Sequence, residues 1–244
     1  MVWMRKNIEG MEAYQPGFQP KEPGFIKLNT NENPYPPAPG VAEIIRGVAI
    51  DSLRLYPQPF SDRLREKIAS VYDFPVENII VGNGSDELLS MALSCTAGPG
   101  DRVIFPTPSY SLFETLTRIQ GAQPVPIGLE EDFKLPPAFF SEQGALKMLA
   151  SPNSPTGTVY PMEIIDRLAE KCDGILLLDE AYVDFSEGSS LELVRKYSNL
   201  LVTRTLSKSY SLAGLRVGYA FAQEEIIEGL GKVKDSYNLN RISA

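Results

Sequence analysis

From about residue 61 to residue 221, short apolar runs alternate with amphipathic stretches along the chain. A continuous apolar run such as 175–178 indicates a strand that is buried on both faces of a sheet. The stretches between the runs repeat apolar residues at helical spacing, as Leu64, Ile68 and Val71 do. This alternation predicts an α/β protein with a largely parallel sheet. The predicted strands are at 78–81, 102–105, 123–126, 145–150, 175–178, 200–202 and 217–221, and the helices are at 41–52, 61–72 and 161–171 and before residues 96 and 120.

Residues 1–40 have a different composition, rich in Pro, Gly and Asn, and this excludes regular helix and central strand there. The segment could be disordered or could lie extended over the domain or a partner subunit. The second interpretation is favoured because the segment has apolar side chains to bury, at Phe18, Phe25, Ile26, Leu28 and Tyr35. The predicted organisation is an extended arm over 1–40 and one large domain over 41–244.

Composition excludes several classes of function. The chain has 244 residues, a net charge of −8 and no basic block, so nucleic acid and anionic membranes are excluded as partners. It has no histidine, which removes Ser-His and Cys-His nucleophiles and most zinc sites, and no metal site is predicted. Its two cysteines, Cys95 and Cys172, are predicted to be buried free thiols in a reducing cytoplasm. No signal peptide or membrane-spanning run is present.

Residues with chemical potential collect where the predicted strands end. Ligands of an open α/β sheet sit off the carboxyl ends of its strands, and a random scatter of such residues would not favour one edge. This placement predicts an enzyme. The residues concerned are Gly84, Ser85, Asp86, Tyr110, Asn153, Asp179, Tyr182 and Lys208.

The loop over 203–216 places Lys208 among small and hydroxyl residues, with Arg216 eight positions later. A lysine in such a loop can form a Schiff base with the aldehyde of pyridoxal phosphate. The pyridine nitrogen of that cofactor needs a carboxylate, which Asp179 can supply directly after a buried strand. Its phenolic oxygen needs a hydrogen-bond donor, for which Tyr182 and Asn153 are candidates.

The phosphate of the same cofactor needs a helix N-terminus and a cation. The sequence Gly84-Ser85-Asp86 opens a predicted helix, and Ser207 and Arg216 can complete the anion site. Each residue alone has an ordinary structural explanation, but their order along the chain supports a cofactor site. A nucleotide-binding site, suggested by Gly82-Asn83-Gly84, is a weaker alternative because a third glycine and a Walker lysine are missing.

Six motifs carry a resemblance to a known family. The chain resembles the fold-type I pyridoxal-phosphate-dependent aminotransferases, and among them the histidinol-phosphate aminotransferases most closely. The resemblance implies a three-layer α/β/α large domain with a mostly parallel mixed sheet, followed by a small C-terminal domain. The motifs are Leu-Asn-Thr-Asn-Glu-Asn-Pro at 28–34, Leu-Tyr-Pro at 55–57, Gly-Ser-Asp-Glu at 84–87, Pro-Asn-Ser-Pro-Thr-Gly at 152–157, Asp-Glu-Ala-Tyr at 179–182 and the stretch 204–216.

The resemblance also implies roles for individual residues. Lys208 would bond the cofactor and then act as general base, Asp179 would pair with the pyridine nitrogen, and Tyr182 would bond the phenolic oxygen. A homodimer is implied, because Tyr56 would reach the phosphate of the partner subunit's cofactor. The remaining implied roles are stacking on the cofactor ring by Tyr110, phosphate binding by Gly84, Ser85, Asp86, Ser207 and Arg216, and lining of the substrate entrance by Asn31 and Glu32.

Two departures from the family pattern bear on these roles. Ser154 occupies the place where the family commonly has asparagine, so Asn153 is expected to serve instead. The chain ends at Ala244, where family members continue into the small domain that supplies a substrate-binding arginine. The chain is therefore expected to be truncated, with uncovered apolar surface near 1–40 and 225–244.

The implied reaction is ping-pong amino transfer between L-histidinol phosphate and 2-oxoglutarate, in histidine biosynthesis. Two alternatives share the cofactor site: an aminotransferase for aromatic amino acids and an enzyme like threonine-phosphate decarboxylase. A further alternative is an inactive fragment that binds the cofactor without turnover.

Overall fold

The computed structural model describes residues 3–12, 18–22 and 24–244, so the parts of the predicted arm at 1–2, 13–17 and 23 lie outside it. The described residues form one sheet of seven strands, β1 (Ile79–Asn83), β2 (Arg102–Thr107), β3 (Gln123–Gly128), β4 (Leu146–Ala150), β5 (Ile175–Asp179), β6 (Leu200–Thr205) and β7 (Val217–Phe221). Their order in the sheet is β1-β7-β6-β5-β4-β2-β3. Only β7 runs antiparallel to its neighbours, and this confirms the predicted mostly parallel mixed sheet.

Helices cover both faces of this sheet. Successive residues of β5 point to opposite sides, so Leu176 and Leu178 enter one core and Leu177 enters the other. The helices are α1 (Lys6–Glu9), α2 (Pro39–Arg46), α3 (Asp62–Tyr72), α4 (Ser85–Thr96), α5 (Leu112–Gln120), α6 (Pro137–Ser141), α7 (Met162–Lys171) and α8 (Glu224–Val233). The first core is closed by α3, α6 and α7 and the second by α4, α5 and α8, which gives the predicted three layers.

The prediction for the first 52 residues is wrong in two respects. Helix was excluded from 1–40, yet α1 lies there and α2 begins at Pro39, because a proline in the first turn has no intrahelical N–H bond to lose. The helix predicted at 41–52 ends instead at Arg46, because Gly47, which follows it, has a low helix propensity, and a 3₁₀ turn lies at Ile50–Arg54.

The expectation of uncovered apolar surface holds for the arm. Phe25, Ile26 and Leu28 are exposed, so the domain of the same chain leaves these side chains uncovered.

The same expectation holds only in part for 225–244, where Tyr237 and Ile242 are exposed. In contrast, Leu239 is buried against the first core, and the Nδ2 of Asn238 donates to Glu87 Oε2 at 2.7 Å. The segment after α8 therefore packs on the domain beside the start of α4.

Candidate active site

The strand ends come together as the sequence predicts. Ser85 follows β1, Tyr110 follows β2, Asp179 ends β5 and Lys208 follows β6, all at the carboxyl edge of the parallel strands. Because β7 runs the opposite way, its first residue lies at this same edge, and Arg216 stands immediately before it. One cavity is lined by Ser85, Asp86, Tyr110, Ala150, Pro152, Ser154, Asp179, Ala181, Tyr182, Thr205, Ser207, Lys208 and Arg216.

The side chain of Lys208 reaches into this cavity from the irregular loop after β6. Its Nζ donates to the carbonyl oxygen of Thr30 at 3.2 Å and lies 5.4 Å from the ring centre of Tyr182. A lysine amine and a tyrosine hydroxyl therefore share one side of the cavity. The hydroxyl oxygen of Tyr182 accepts a hydrogen bond from Asn31 Nδ2 at 2.8 Å, which leaves the phenolic proton available for another acceptor.

Asp179 is a buried acid in the lining of the same cavity. Its Oδ1 accepts hydrogen bonds from Thr203 Oγ1 at 3.2 Å and from the Ala181 N–H at 3.1 Å. Burial raises the pKa of Asp179 to about 7, although these two hydrogen bonds oppose the rise. Neither donor carries a charge, so a cation placed in the cavity beside this carboxyl would stabilise its ionised form.

An anion cradle forms where α4 begins. The first N–H groups of this twelve-residue helix have no intrahelical partner, and its macrodipole favours negative charge there. Two glycines keep the cradle open: a Cβ on Gly84 would collide with the Arg216 guanidinium, and a Cβ on Gly218 would lie 2.5 Å from the Ser85 nitrogen. Arg216 Nη1 also lies 3.4 Å from Ser207 Oγ, so a cation and a hydroxyl face the helix N-terminus.

The side chain of Asp86 makes contacts beyond the phosphate binding that was predicted for this residue. Its Oδ1 accepts a hydrogen bond from the Tyr110 hydroxyl at 3.0 Å, and its Oδ2 lies 3.3 Å from Arg216 Nη2. One carboxylate thus orients both the aromatic ring and the cation of the site.

Five predicted site residues lie outside the cavity lining, and one of them, Gly84, belongs to the anion cradle described above. Asn153 is buried in its own loop, where Nδ2 donates to Pro108 O at 3.0 Å and to Thr156 Oγ1 at 2.9 Å, so both amide hydrogens are engaged and Ser154 faces the cavity instead. Asn31 reaches the site through Tyr182, as described above. Glu32 pairs with Lys27 at 2.8 Å, and this contact lowers the pKa of Glu32. Tyr56 is exposed and stacks on Tyr237 with a centroid distance of 4.4 Å.

Sequence reasoning missed three side chains that support the site. Thr203 binds the oxygen of Asp179 from the neighbouring strand, and Thr205 Oγ1 donates to Ser207 Oγ at 2.9 Å. Asn33 donates to the carbonyl oxygens of Lys208 and Ser209. The two threonines stand within five residues of Lys208, which is a usable signal, whereas Asn33 is 175 residues away.

These features fit the pyridoxal phosphate that the sequence predicts. The uncompensated buried carboxyl of Asp179 suits a protonated pyridine nitrogen, and the cradle that a Cβ would fill suits a phosphate. Lys208 and Tyr182 lie together in the cavity. The lysine amine could bond the aldehyde, and the tyrosine hydroxyl could donate to the neighbouring phenolic oxygen. The residues that could hold the cofactor are therefore already arranged for it.

Known proteins resemble this chain in sequence and in fold. Residues 23–244 match the family model described as aminotransferase class I and II. Histidinol-phosphate aminotransferases from Geotalea daltonii and Citrifermentans bemidjiense are 47% and 48% identical to the whole chain, which spans 70% of each. The crystal structure of histidinol-phosphate aminotransferase from Sinorhizobium meliloti in complex with pyridoxal-5'-phosphate superimposes with a TM-score of 0.81. It is 26% identical, and the match covers 88% of this chain and 60% of that one.

Two kinds of feature are absent from the described residues. None of the helices in that part of the chain has the length and apolar character needed to cross a membrane. Within the same residues, no group of acidic or cysteine side chains is arranged to hold a metal ion.

Proposed function

Since the chain belongs to the class I and II aminotransferase family, we propose that it binds pyridoxal phosphate and transfers the amino group of L-histidinol phosphate to 2-oxoglutarate. This is a step of histidine biosynthesis. The observation that carries the proposal is the gathering of Lys208, Asp179, Tyr182 and Arg216 around one cavity. The choice of substrate is supported by relatives named histidinol-phosphate aminotransferase at 47–48% identity over the whole chain.

Each residue has a task that follows from its position. Bound pyridoxal phosphate supplies an aldehyde that takes up amino groups and a protonated ring that withdraws electrons from the reacting carbon. The Nζ of Lys208 would bond the aldehyde and, when it is free, would act as the general base that carries the proton. Asp179 would pair with the protonated ring nitrogen, and the hydroxyl of Tyr182 would donate to the phenolic oxygen. Ser85, Ser207 and Arg216 would bind the phosphate, and Tyr110 would stack on the ring.

We further propose that the chain consists of an arm over 1–40 and a cofactor-binding domain over 41–244. Two copies of the chain form a homodimer in the cytoplasm. The exposed apolar residues Ile44, Ile50 and Leu55 support a partner surface next to Tyr56. From there Tyr56 would reach the phosphate in the partner subunit, while Glu32 would stand at the substrate entrance. Cys172 is buried as predicted, whereas Cys95 is exposed, which corrects the prediction for that residue. Both are free thiols, which suit a reducing compartment. Sedimentation equilibrium tests the assembly, and a monomer at tens of micromolar protein would contradict it.

Half-transamination tests the proposed reaction. The chain loaded with pyridoxal phosphate is mixed with L-histidinol phosphate, and loss of the cofactor's absorbance band near the visible region is followed. We expect this loss with histidinol phosphate, and the amine form of the cofactor as product. Phenylalanine and threonine phosphate are the comparison substrates. A faster reaction with either, or release of carbon dioxide from threonine phosphate, would overturn the substrate assignment while leaving the cofactor assignment in place.

A further inference from the structure

The segment 30–33, called the strap below, contacts the candidate site at three points. The Thr30 carbonyl accepts from Lys208 Nζ at 3.2 Å, and Asn31 donates to the Tyr182 hydroxyl at 2.8 Å. The third contact is made by Asn33, which is half-buried and touches the main chain of the Lys208 loop. A segment distant in sequence is therefore tied to both the reactive lysine and the tyrosine beside it.

Asn33 makes the most specific of these contacts. Its Nδ2 donates to the carbonyl oxygen of Lys208 at 3.1 Å and to that of Ser209 at 3.2 Å. Its Oδ1 accepts from the N–H of Tyr35 at 3.1 Å, so the orientation of the amide is fixed by the strap itself. Two consecutive carbonyl groups are thereby held by a single side chain whose own rotation is restricted.

The loop that receives these hydrogen bonds needs such a tie. It is irregular between β6 and the 3₁₀ turn at Ala213–Leu215, and Ser211 within it has a left-handed φ of 58°. The reactive nitrogen of Lys208 stands at the end of a four-carbon chain, so a small rotation of its main chain displaces Nζ by a much larger distance. Reaction rates fall steeply when a reacting atom is misplaced by about 1 Å.

We propose that Asn33 is a positioning residue for Lys208: it fixes the main chain at Lys208 and Ser209, and thereby the direction in which the reactive amine is presented. The inference rests on the proposed function, because it assumes that the amine of Lys208 bonds the cofactor aldehyde. Asn33 touches neither cofactor nor substrate in this role. Its effect is on the rate of covalent capture rather than on the equilibrium affinity for phosphate.

Asn33→Asp removes the hydrogen bonds to the lysine loop and keeps the hydrogen bond to Tyr35. The carboxylate has the same shape and still accepts from the Tyr35 N–H, but it donates no hydrogen bond to the carbonyl groups of the lysine loop. Asn29→Asp is the matched control, with the same change of charge in the same arm. Asn29 is exposed and donates to Phe18 O at 2.6 Å. Asn33→Ala replaces Asn33→Asp if circular dichroism shows that the latter is unfolded.

Capture of pyridoxal phosphate by the 244-residue chain is stopped with borohydride at increasing times, and the fraction of labelled Lys208 gives the rate. We expect capture about tenfold slower in Asn33→Asp and unchanged within about twofold in Asn29→Asp, with equal urea midpoints. Amide hydrogen exchange without cofactor provides a second measurement, and we expect faster exchange at 206–211 in Asn33→Asp alone.

The outcomes separate the two claims. Equal capture rates and equal exchange in the Asn33 and Asn29 variants would overturn the positioning role and leave the proposed function intact. Slower capture accompanied by a lower urea midpoint and exchange throughout the domain would also overturn it, because the effect would then be global. Absence of any Lys208 adduct in the unaltered chain would contradict the proposed function, and the inference would fall with it.

Discussion

At the scale of single residues, burial of the Asp179 carboxyl prepares the site for the cofactor but lowers the stability of the cofactor-free fold near neutral pH. The carboxyl is 4% exposed and its pKa is raised to about 7, so the folded chain holds on to a proton that the unfolded chain loses near pH 4. The stability that this proton contributes is fully present below the pKa of the group in the unfolded state. It is lost as the pH rises through the pKa in the folded state. The carboxyl therefore destabilises the fold increasingly as the pH rises to about 7.

Replacing Asp179 with asparagine removes this cost. We expect the gain in unfolding free energy of cofactor-free Asp179→Asn over the unaltered chain to grow by on the order of 2 kcal/mol between pH 5 and pH 8. Urea unfolding at both pH values measures it, with exposed Asp51→Asn as control. The same variant should bind pyridoxal phosphate roughly tenfold more weakly or worse. A stability difference that does not change with pH would contradict the buried-acid interpretation.

Individual site residues were predictable where their position in the chain and their residue type were enough to indicate a role. Lys208, Asp179 and Tyr182 stood at strand ends, so periodicity and residue type sufficed to place them. The support for them was not predictable, because Asn33 and the carboxyl of Asp86 act through contacts that depend on how distant segments pack. Asn153 shows the converse, since its residue type suited the cofactor while its loop engages the amide elsewhere.

At the scale of elements, the close packing of β7 against the start of α4 builds the anion cradle. Gly218 pairs with Gly82 of β1 and with Thr205 of β6, and a Cβ there would meet the backbone of Gly84 and Ser85. Strand and helix types in this region followed from periodicity. The reversed direction of β7 did not, because periodicity gives no information about strand direction, and it is this reversal that carries Arg216 to the site edge.

Gly218→Ala tests the cradle directly. The added methyl group meets backbone on the opposite element, so either β7 or the first turn of α4 must shift. We expect a loss of about 1–3 kcal/mol in unfolding free energy and a marked weakening of pyridoxal phosphate binding. Gly214→Ala is the matched control, since a Cβ at Gly214 meets nothing within 4 Å. Equal affinity for the cofactor in the two variants would contradict the proposed phosphate position.

At the scale of the whole molecule, the cavity of the candidate site lies at one edge of a sheet that is covered by helices on both faces. The chain spans 70% of the length of the curated relatives it matches, and within that length the described residues already include the proposed cofactor contacts from its own subunit. The fold class was predictable because alternation of apolar runs and amphipathic stretches extends through most of the chain. The packing of 236–244 beside α4 was not, because that segment has no periodicity of its own.

Selective labelling of one lysine tests the central claim most directly. The chain is mixed with pyridoxal phosphate and reduced with borohydride, and the modified lysine is identified by peptide mapping, with all other lysines serving as internal controls. We expect stoichiometric label on Lys208 in the unaltered chain and only trace label on any lysine in Lys208→Ala. Label spread over surface lysines, or an equal yield in Lys208→Ala, would contradict it.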